Sequence, residues 1–326
     1  MKTTWIRLPV LAASLLLLAG CGRNEGSAPL RIAVNVWPGY DTLWLAEQLG
    51  FTAAEGLNVR ILTTDGLGAS RRLLKLGEAD VIGGTLVELI STRRMDGIDA
   101  RAIALLDVSI GPDVILGRPG ITRFEDLRGR RIGIEPGTSD VLLLAAALRA
   151  RGLSPDDVRE VPVSHQGKVE ALRTGAVDAI CSYPPESEEA RRETGAKVLF
   201  SSADVPGAIV DVLIAPASLV RDRRRELAAL LRANQRAVEA LRTDPAARRL
   251  MAGRGGATEE QLREQLAGLE LPALASQPAR FGPGGTLRVA AEDALRALRD
   301  YGAVDREMSA DSLLDASVLR DALSRP

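Results

Sequence analysis

The chain is short of the residues that most site chemistry relies on: one histidine, two cysteines and three tryptophans among 326 residues. His165 alone cannot supply a two-histidine zinc site, and Cys21 with Cys181 can form neither CxxC pairs nor a cluster cradle. That supply argues against an elaborate metalloenzyme, and no metal is expected. No GxxxxGKS/T occurs and no GxGxxG follows a strand, so nucleotide binding has no support and no cofactor is implied. Net charge is nearly absent as well. The 42 Lys+Arg against 43 Asp+Glu exclude a globally basic nucleic-acid binder and an acidic disordered tail protein. Lysine is scarce among the basic residues (Lys2, Lys75, Lys168 and Lys197), a bias that reads as genomic rather than mechanistic. Aromatics are 3%, so any local cluster of them is informative.

What is present begins with the stretch MKTTWIRLPVLAASLLLLAGCGRNEGSAPL. Lys2 and Arg7 make a short positive region, and residues 8–19 are apolar. A spanning helix needs about 20 apolar residues, so this reads as the core of an export signal covering residues 1–20. It ends in Leu18-Ala19-Gly20-Cys21, which resembles a bacterial lipobox, with Cys21 the residue to be lipidated. The alternative is an ordinary secretory signal with a chance cysteine. Residues 21–29 are polar and turn-rich, as a tether between lipid and folded protein should be. Without Lys2 and Arg7 the mature chain carries 40 basic and 43 acidic groups. Cys181 would then lack a disulfide partner in an oxidising compartment. The expectation is an exported monomer, lipid-anchored to the cell membrane, facing the periplasm or cell exterior.

Strand and helix signals alternate along the first two thirds. Residues 30–36 read as a buried strand, followed by Trp37-Pro38-Gly39-Tyr40 as a loop and a helix capped by Asp41 and closed at Gly50. Further strands are expected over 58–63, 79–82 and 100–106, with Gly83-Gly84-Thr85 leading into a helix. The pattern restarts with strands at 113–116 and 131–134, a helix from Gly137-Thr138-Ser139-Asp140 to Arg151, and alternation through residue 182. After a strand at 209–215 the chain reads as largely helical. This is an α/β pattern with mostly parallel sheets. Two lobes are expected, residues 30–108 plus 212–326 with a helical C-terminal tail, and residues 109–211. Their strand-to-helix loops would face each other across one cleft.

Several motifs carry a family resemblance over residues 30–220. Trp37-Pro-Gly-Tyr40 with Leu43-Trp-Leu-Ala46 and Ala79-Asp-Val resembles the first lobe of the nitrate, sulfonate and thiamine-pyrimidine class of ABC transporter substrate-binding proteins. Asp107-Val-Ser-Ile-Gly-Pro-Asp113, Phe124-Glu-Asp-Leu-Arg-Gly-Arg-Arg-Ile-Gly-Ile134, Gly152-Leu-Ser-Pro-Asp-Asp-Val158, Gly175-Ala-Val-Asp-Ala179 and Pro184-Pro-Glu186 continue the match. The resemblance implies a bilobed fold of the type II periplasmic-binding-protein kind that closes over a small molecule. It also implies delivery to an ABC permease and its ATPase. The class spans anions and pyrimidine precursors, so the role is implied more sharply than the ligand.

Eleven residues are candidates for the ligand site: Trp37, Tyr40, Thr85, Asp107, Ser109, Asp113, Thr138, Ser139, Tyr183, Glu186 and Asp211. Trp37, Tyr40 and Tyr183 would form aromatic walls, or Trp37 packs under its loop as a staple, while Trp44 belongs to the core. Thr85, Thr138 and Ser139 stand at helix starts, where hydroxyls and free amides suit an anion or simply cap the helix. Asp107, Asp113, Glu186 and Asp211 fall at strand ends or crossovers, where they would repel an anion in a closed cleft, or else cap and pair. The acids favour a nitrogen-bearing organic ligand, an amine or a pyrimidine edge. His165 reads as a loop residue with a surface hydrogen bond or as a cleft group, Cys181 as a small core residue, and Arg221–Arg225 as a solvated face. The leading function is a non-enzymatic solute receptor. The alternatives are an anion receptor of the same family, a sensory binding module for a membrane kinase, and a pyrimidine-synthase-like enzyme using Cys181 and His165.

Overall fold

The structure, a computed structural model, describes residues 28–300, 304 and 308–324. The export signal, Cys21 with its expected lipid, and most of the tether lie outside the described residues. The first lobe runs β1 (Leu30–Asn35), α1 (Pro38–Gln48), α2 (Phe51–Ala54), β2 (Val59–Thr64), α3 (Leu67–Lys75), β3 (Val81–Thr85), α4 (Leu86–Met95) and β4 (Ala100–Ser109). The second holds β5 (Val114–Gly117), β6 (Arg131–Ile134), α5 (Ser139–Ala150), β7 (Arg159–Pro162), α6 (Lys168–Thr174), β8 (Ala179–Ser182), α7 (Glu186–Thr194) and β9 (Lys197–Ser201). The chain returns through β10 (Val210–Pro216). It continues as α8 (Ala217–Asp222), α9 (Arg224–Thr243), α10 (Pro245–Arg254), α11 (Glu259–Ala267) and β11 (Leu269–Glu270). The end is α12 (Gln277–Phe281), α13 (Thr286–Asp300), α14 (Ala310–Leu313) and α15 (Ser317–Leu323).

Two sheets result, ordered β11-β4-β10-β3-β1-β2 and β7-β6-β8-β5-β9. Neither is mostly parallel, contrary to the sequence expectation. β10 lies antiparallel between β3 and β4, and β5 is antiparallel to both β8 and β9. The physical reason is the crossover: a chain that leaves one sheet and returns from the other enters against the βαβ direction. The changeover falls between Ser109 and Val114 and between Ser201 and Val210. α13, from the helical tail, packs on α4 of the first lobe and α5 of the second.

Local details depart from the sequence reading in instructive ways. α1 starts at Pro38, with Trp37 as the extended residue before it, so Trp37 and Tyr40 belong to a helix start and not to a loop. Proline suits the first helical position because its missing N–H would be unpaired there anyway. Asp41 therefore caps nothing; it is buried in the first turn and pairs with Arg254 of α10 at 2.5 Å. Gly83, Gly84 and Thr85 are the end of β3, not a loop. α7 and β9 escaped the sequence reading: α7 is polar nearly all round, burying only Ser187 and Ala190. Cys181 is fully buried in β8, and burial pushes its thiol well up. No helix among the described residues is long and apolar enough to cross a membrane.

Candidate functional site

The cleft-facing floor of the first lobe is built by register. Asp211 on β10 is paired with Thr85 on β3 and with Asp107 on β4, which sets three candidate side chains in one row across adjacent strands. The start of α1 lies over that row. Trp37 Nε1 donates to Asp107 Oδ2 at 3.1 Å, and the Tyr40 hydroxyl donates to Asp211 Oδ1. Two glycines permit this approach. A Cβ on Gly39 would stand 1.7 Å from Asp107 Oδ2, and one on Gly83 would stand 2.9 Å from the Tyr40 ring. The Trp-Pro-Gly-Tyr spacing is thus a packing requirement: helix start, close approach, then the ring that reaches β10.

A cavity of only about 10 Å³, room for about one water molecule, separates this floor from the second lobe. It is lined by Asn35, Trp37, Tyr40, Leu67, Thr85, Asp113, Ser139, Tyr183 and Asp211. Seven of the eleven sequence candidates therefore meet in one place. Of the rest, Asp107 lies directly behind Trp37. Ser109 bonds to Asp113 from beneath and stands 3.0 Å from the Ser202 hydroxyl. Thr138 is buried with its hydroxyl donating to Glu135 O at 2.8 Å. Glu186 does not line the cavity; it backs it, 2.7 Å from His165 Nε2. His165 is only 4% exposed and stacks on Tyr183 at 4.4 Å, so it is not a surface loop residue. The aromatic walls also differ from expectation: Trp37 and Tyr183 meet each other edge-on at 5.8 Å and 80°, leaving no parallel slot between them. Trp44 is half-buried against a smaller core cluster, with the Arg254 guanidinium 4.8 Å over its ring.

Electrostatically the site is acidic and dry. Burial pushes Asp113 up to about 6. Burial and the neighbouring Asp107 hold Asp211 well above the carboxylate range, and burial raises Asp107 too. Two carboxyls this close in a water-poor site keep a proton between them. Asn35 Oδ1, Asp113 Oδ2 and the Tyr183 hydroxyl are buried with no hydrogen-bond partner among the described residues.

Sequence reasoning missed several groups that shape this site. Lys168 is fully buried, 2.6 Å from Asp140 Oδ2 and 6.0 Å from the Tyr183 ring centre. Its signal in the sequence is the rarity of lysine. Glu88 completes a capping box with Thr85, a pattern legible as Thr-x-x-Glu. One of its oxygens accepts from the Thr85 N–H and hydroxyl, both at 2.6 Å; the other accepts the Ser139 N–H of the second lobe at 3.0 Å. Burial pushes the Glu88 carboxyl up to about 7. Arg71 Nη1 also crosses between lobes, donating to Gly137 O at 3.0 Å.

Comparison with known proteins agrees with this architecture. The profile of a family described as NMT1/THI5 like matches residues 37–248. A Brucella abortus protein described as a binding protein is 31% identical over 86 residues, 26% of this chain and 27% of its own length. A Bacillus subtilis protein described as an aliphatic sulfonates-binding protein is 27% identical over 212 residues, 60% of this chain and 61% of its own. The chain thus matches about a quarter of the length of the first and three fifths of the second. Among solved structures, the alkanesulfonate-binding protein of Xanthomonas axonopodis pv. citri bound to MOPS superimposes with a TM-score of 0.71 at 16% identity. That likeness, over 88% of this chain and 99% of that one, concerns the fold.

Proposed function

The chain belongs to the NMT1/THI5-like family, and from that premise we propose that it is an exported, lipid-anchored solute receptor for a nitrogen-bearing organic molecule. On this reading residues 30–108 with 212–326 and residues 109–211 move as two lobes that close over the ligand. The closed form then presents the solute to an ABC permease and its ATPase. Trp37, Tyr40, Thr85, Asp107, Ser109, Asp113, Thr138, Ser139, Tyr183, Glu186 and Asp211 form the ligand site and its support.

The observation that carries the ligand class is the unpartnered acceptor set. Asn35 Oδ1 and Asp113 Oδ2 lack donors, and they line the cavity beside the Asp107–Asp211 pair. Each buried polar group left unpaired costs about 1–3 kcal/mol, which a ligand offering N–H groups would recover. An amine, an amidine or the N–H edge of a pyrimidine meets that demand. The likeness to sulfonate-binding proteins favours a second reading, an anion receptor. A buried sulfonate beside these carboxyls would meet repulsion, which a dry site strengthens. An enzymatic reading through Cys181 and His165 is disfavoured, since the thiol is sealed in β8 with its ionisation suppressed, and His165 Nε2 stands 2.7 Å from Glu186.

The test uses protein starting after Cys21, which retains only Trp37 and Trp44. Its fluorescence is titrated with amines and nitrogen heterocycles, including thiamine pyrimidines, and separately with nitrate, taurine, alkyl sulfonates and bicarbonate. Saturable change with the nitrogen set alone is expected. Saturation by an anion overturns the ligand class.

A further inference from the structure

α4 and α5 begin alike, each with a buried threonine in extended backbone before the first turn. Thr85 caps its own helix: its hydroxyl accepts from Val87 N–H at 3.1 Å, and Glu88 closes the box. Thr138 does not. Its hydroxyl turns away to Glu135 O, and its side chain makes no cap to α5. The free amide at the head of α5 is met instead by Glu88 Oε1, reaching across the cleft from the other lobe. The 12-residue α5 therefore has its positive end occupied by a carboxylate that the protein itself supplies. Arg71, anchored by Asp96 at 3.2 Å, reaches the carbonyl of Gly137 on the same turn.

We propose that Glu88 is a specificity-determining residue, an internal carboxyl group that fills the head of α5 when the lobes close and so keeps free anionic solutes out of the cleft. The geometry gives it two consequences. The position at which an incoming oxyanion could take the Ser139 amide is already filled, by a group bound at the same time to Thr85. The same bond also ties the first lobe to the second, so that closure needs no anionic ligand to bridge them. The inference rests on the cleft described above as the binding site, while its outcome is independent of whether the physiological ligand is an amine.

Glu88→Ala vacates the head of α5 and leaves Arg71, Ser139 N–H and the Thr85 hydroxyl around the space. Ethanesulfonate and nitrate are the probes, read by calorimetry and tryptophan fluorescence on protein starting after Cys21. Glu88→Ala is expected to bind at least one of them about tenfold or more tightly than the parent, the ratio that about 1.4 kcal/mol represents. Glu88→Gln, which keeps the space filled without charge, is expected to stay near the parent. Equal anion binding by parent and Glu88→Ala overturns the proposal, even where amines bind as expected. Anion binding gained by Glu88→Ala in a protein that binds no amine upholds it and removes the amine reading instead.

Should Glu88→Ala lose its fold, Ser139→Pro tests the tie alone. It deletes the N–H that Glu88 accepts at a first-turn position where proline is favoured, after a residue already extended. The ligand-free Ser139→Pro protein is expected to show a larger radius of gyration in solution scattering than the parent. An unchanged radius overturns the tie.

Discussion

On the second lobe, Asp140 has Lys168 at 2.6 Å and Glu186 has His165 at 2.7 Å, so two acids behind the cavity each face a basic partner. On the first lobe, Asp107 and Asp211 have, among the described residues, only each other, the Trp37 N–H and the Tyr40 hydroxyl as hydrogen-bond partners. Both walls bury carboxyls; they differ in how the charge is answered. A buried pair is balanced within the protein and makes no demand on a ligand, whereas a buried acid without a cation either holds a proton or waits for a donor. The division suggests that the paired acids Asp140 and Glu186 serve as scaffold, while Asp107, Asp211 and, from the second lobe, the unpartnered Asp113 read the solute.

The strongest way to break the comparison is to remove the cation from the balanced wall. Lys168→Met leaves Asp140 buried and uncompensated, and a loss of about 3–5 kcal/mol is expected in urea unfolding. A loss below about 1 kcal/mol would mean that the pair does not hold the wall.

pH next probes a buried acid on each wall. Glu88 and Asp113 have folded values of about 7 and about 6, above the ordinary values they regain on unfolding. The folded state therefore binds more protons than the unfolded state between about pH 4 and about pH 7. Its stability is full at the acid end and falls as pH rises through that window. Unfolding series at several pH values check the sign, and a rise across the window would contradict the burial argument. By the same linkage, binding of a cationic solute near neutral pH should release protons, which calorimetry in buffers of different ionisation enthalpy would detect.

The smallest effect sharpens the comparison by its sign. Asn at position 211 can still accept from Tyr40 and can donate to Asp107 without contributing a second charge. Asp211→Asn should leave the ligand-free protein as stable or about 1 kcal/mol more stable at pH 8, while weakening binding of a cationic amine. Destabilisation together with unchanged binding would place Asp211 in the scaffold class with Asp140.

Much of the architecture was legible along the chain, because βαβ alternation and apolar runs are local signals. The buried strand at 30–35, the strand at 131–134 and the apolar helix from 139 stand where periodicity placed them. The direction of β10 was not legible, since a strand reads the same whichever way its neighbours run. The start of α1 was misread because Asp41 is a good capping residue by type, and only the fold shows that its carboxyl is taken by Arg254. For the site, strand ends and helix starts pointed to the right neighbourhood, and seven candidates line one cavity. Lys168, Asp140 and Glu88 were passed over because their meaning lies in partners from other elements.

The sequence by itself determined the α/β alternation, the family motifs, and the glycine and proline positions that let Trp37 and Tyr40 approach β4 and β10. Those properties follow from backbone sterics and hydrophobic periodicity, which act between near neighbours in the chain. Tertiary structure alone decided which carboxyls are answered by a cation, which keep a proton, and whose carboxylate meets the head of α5. Charge interactions depend on distance and on exclusion of water, and both arise only when segments far apart in the chain are brought together.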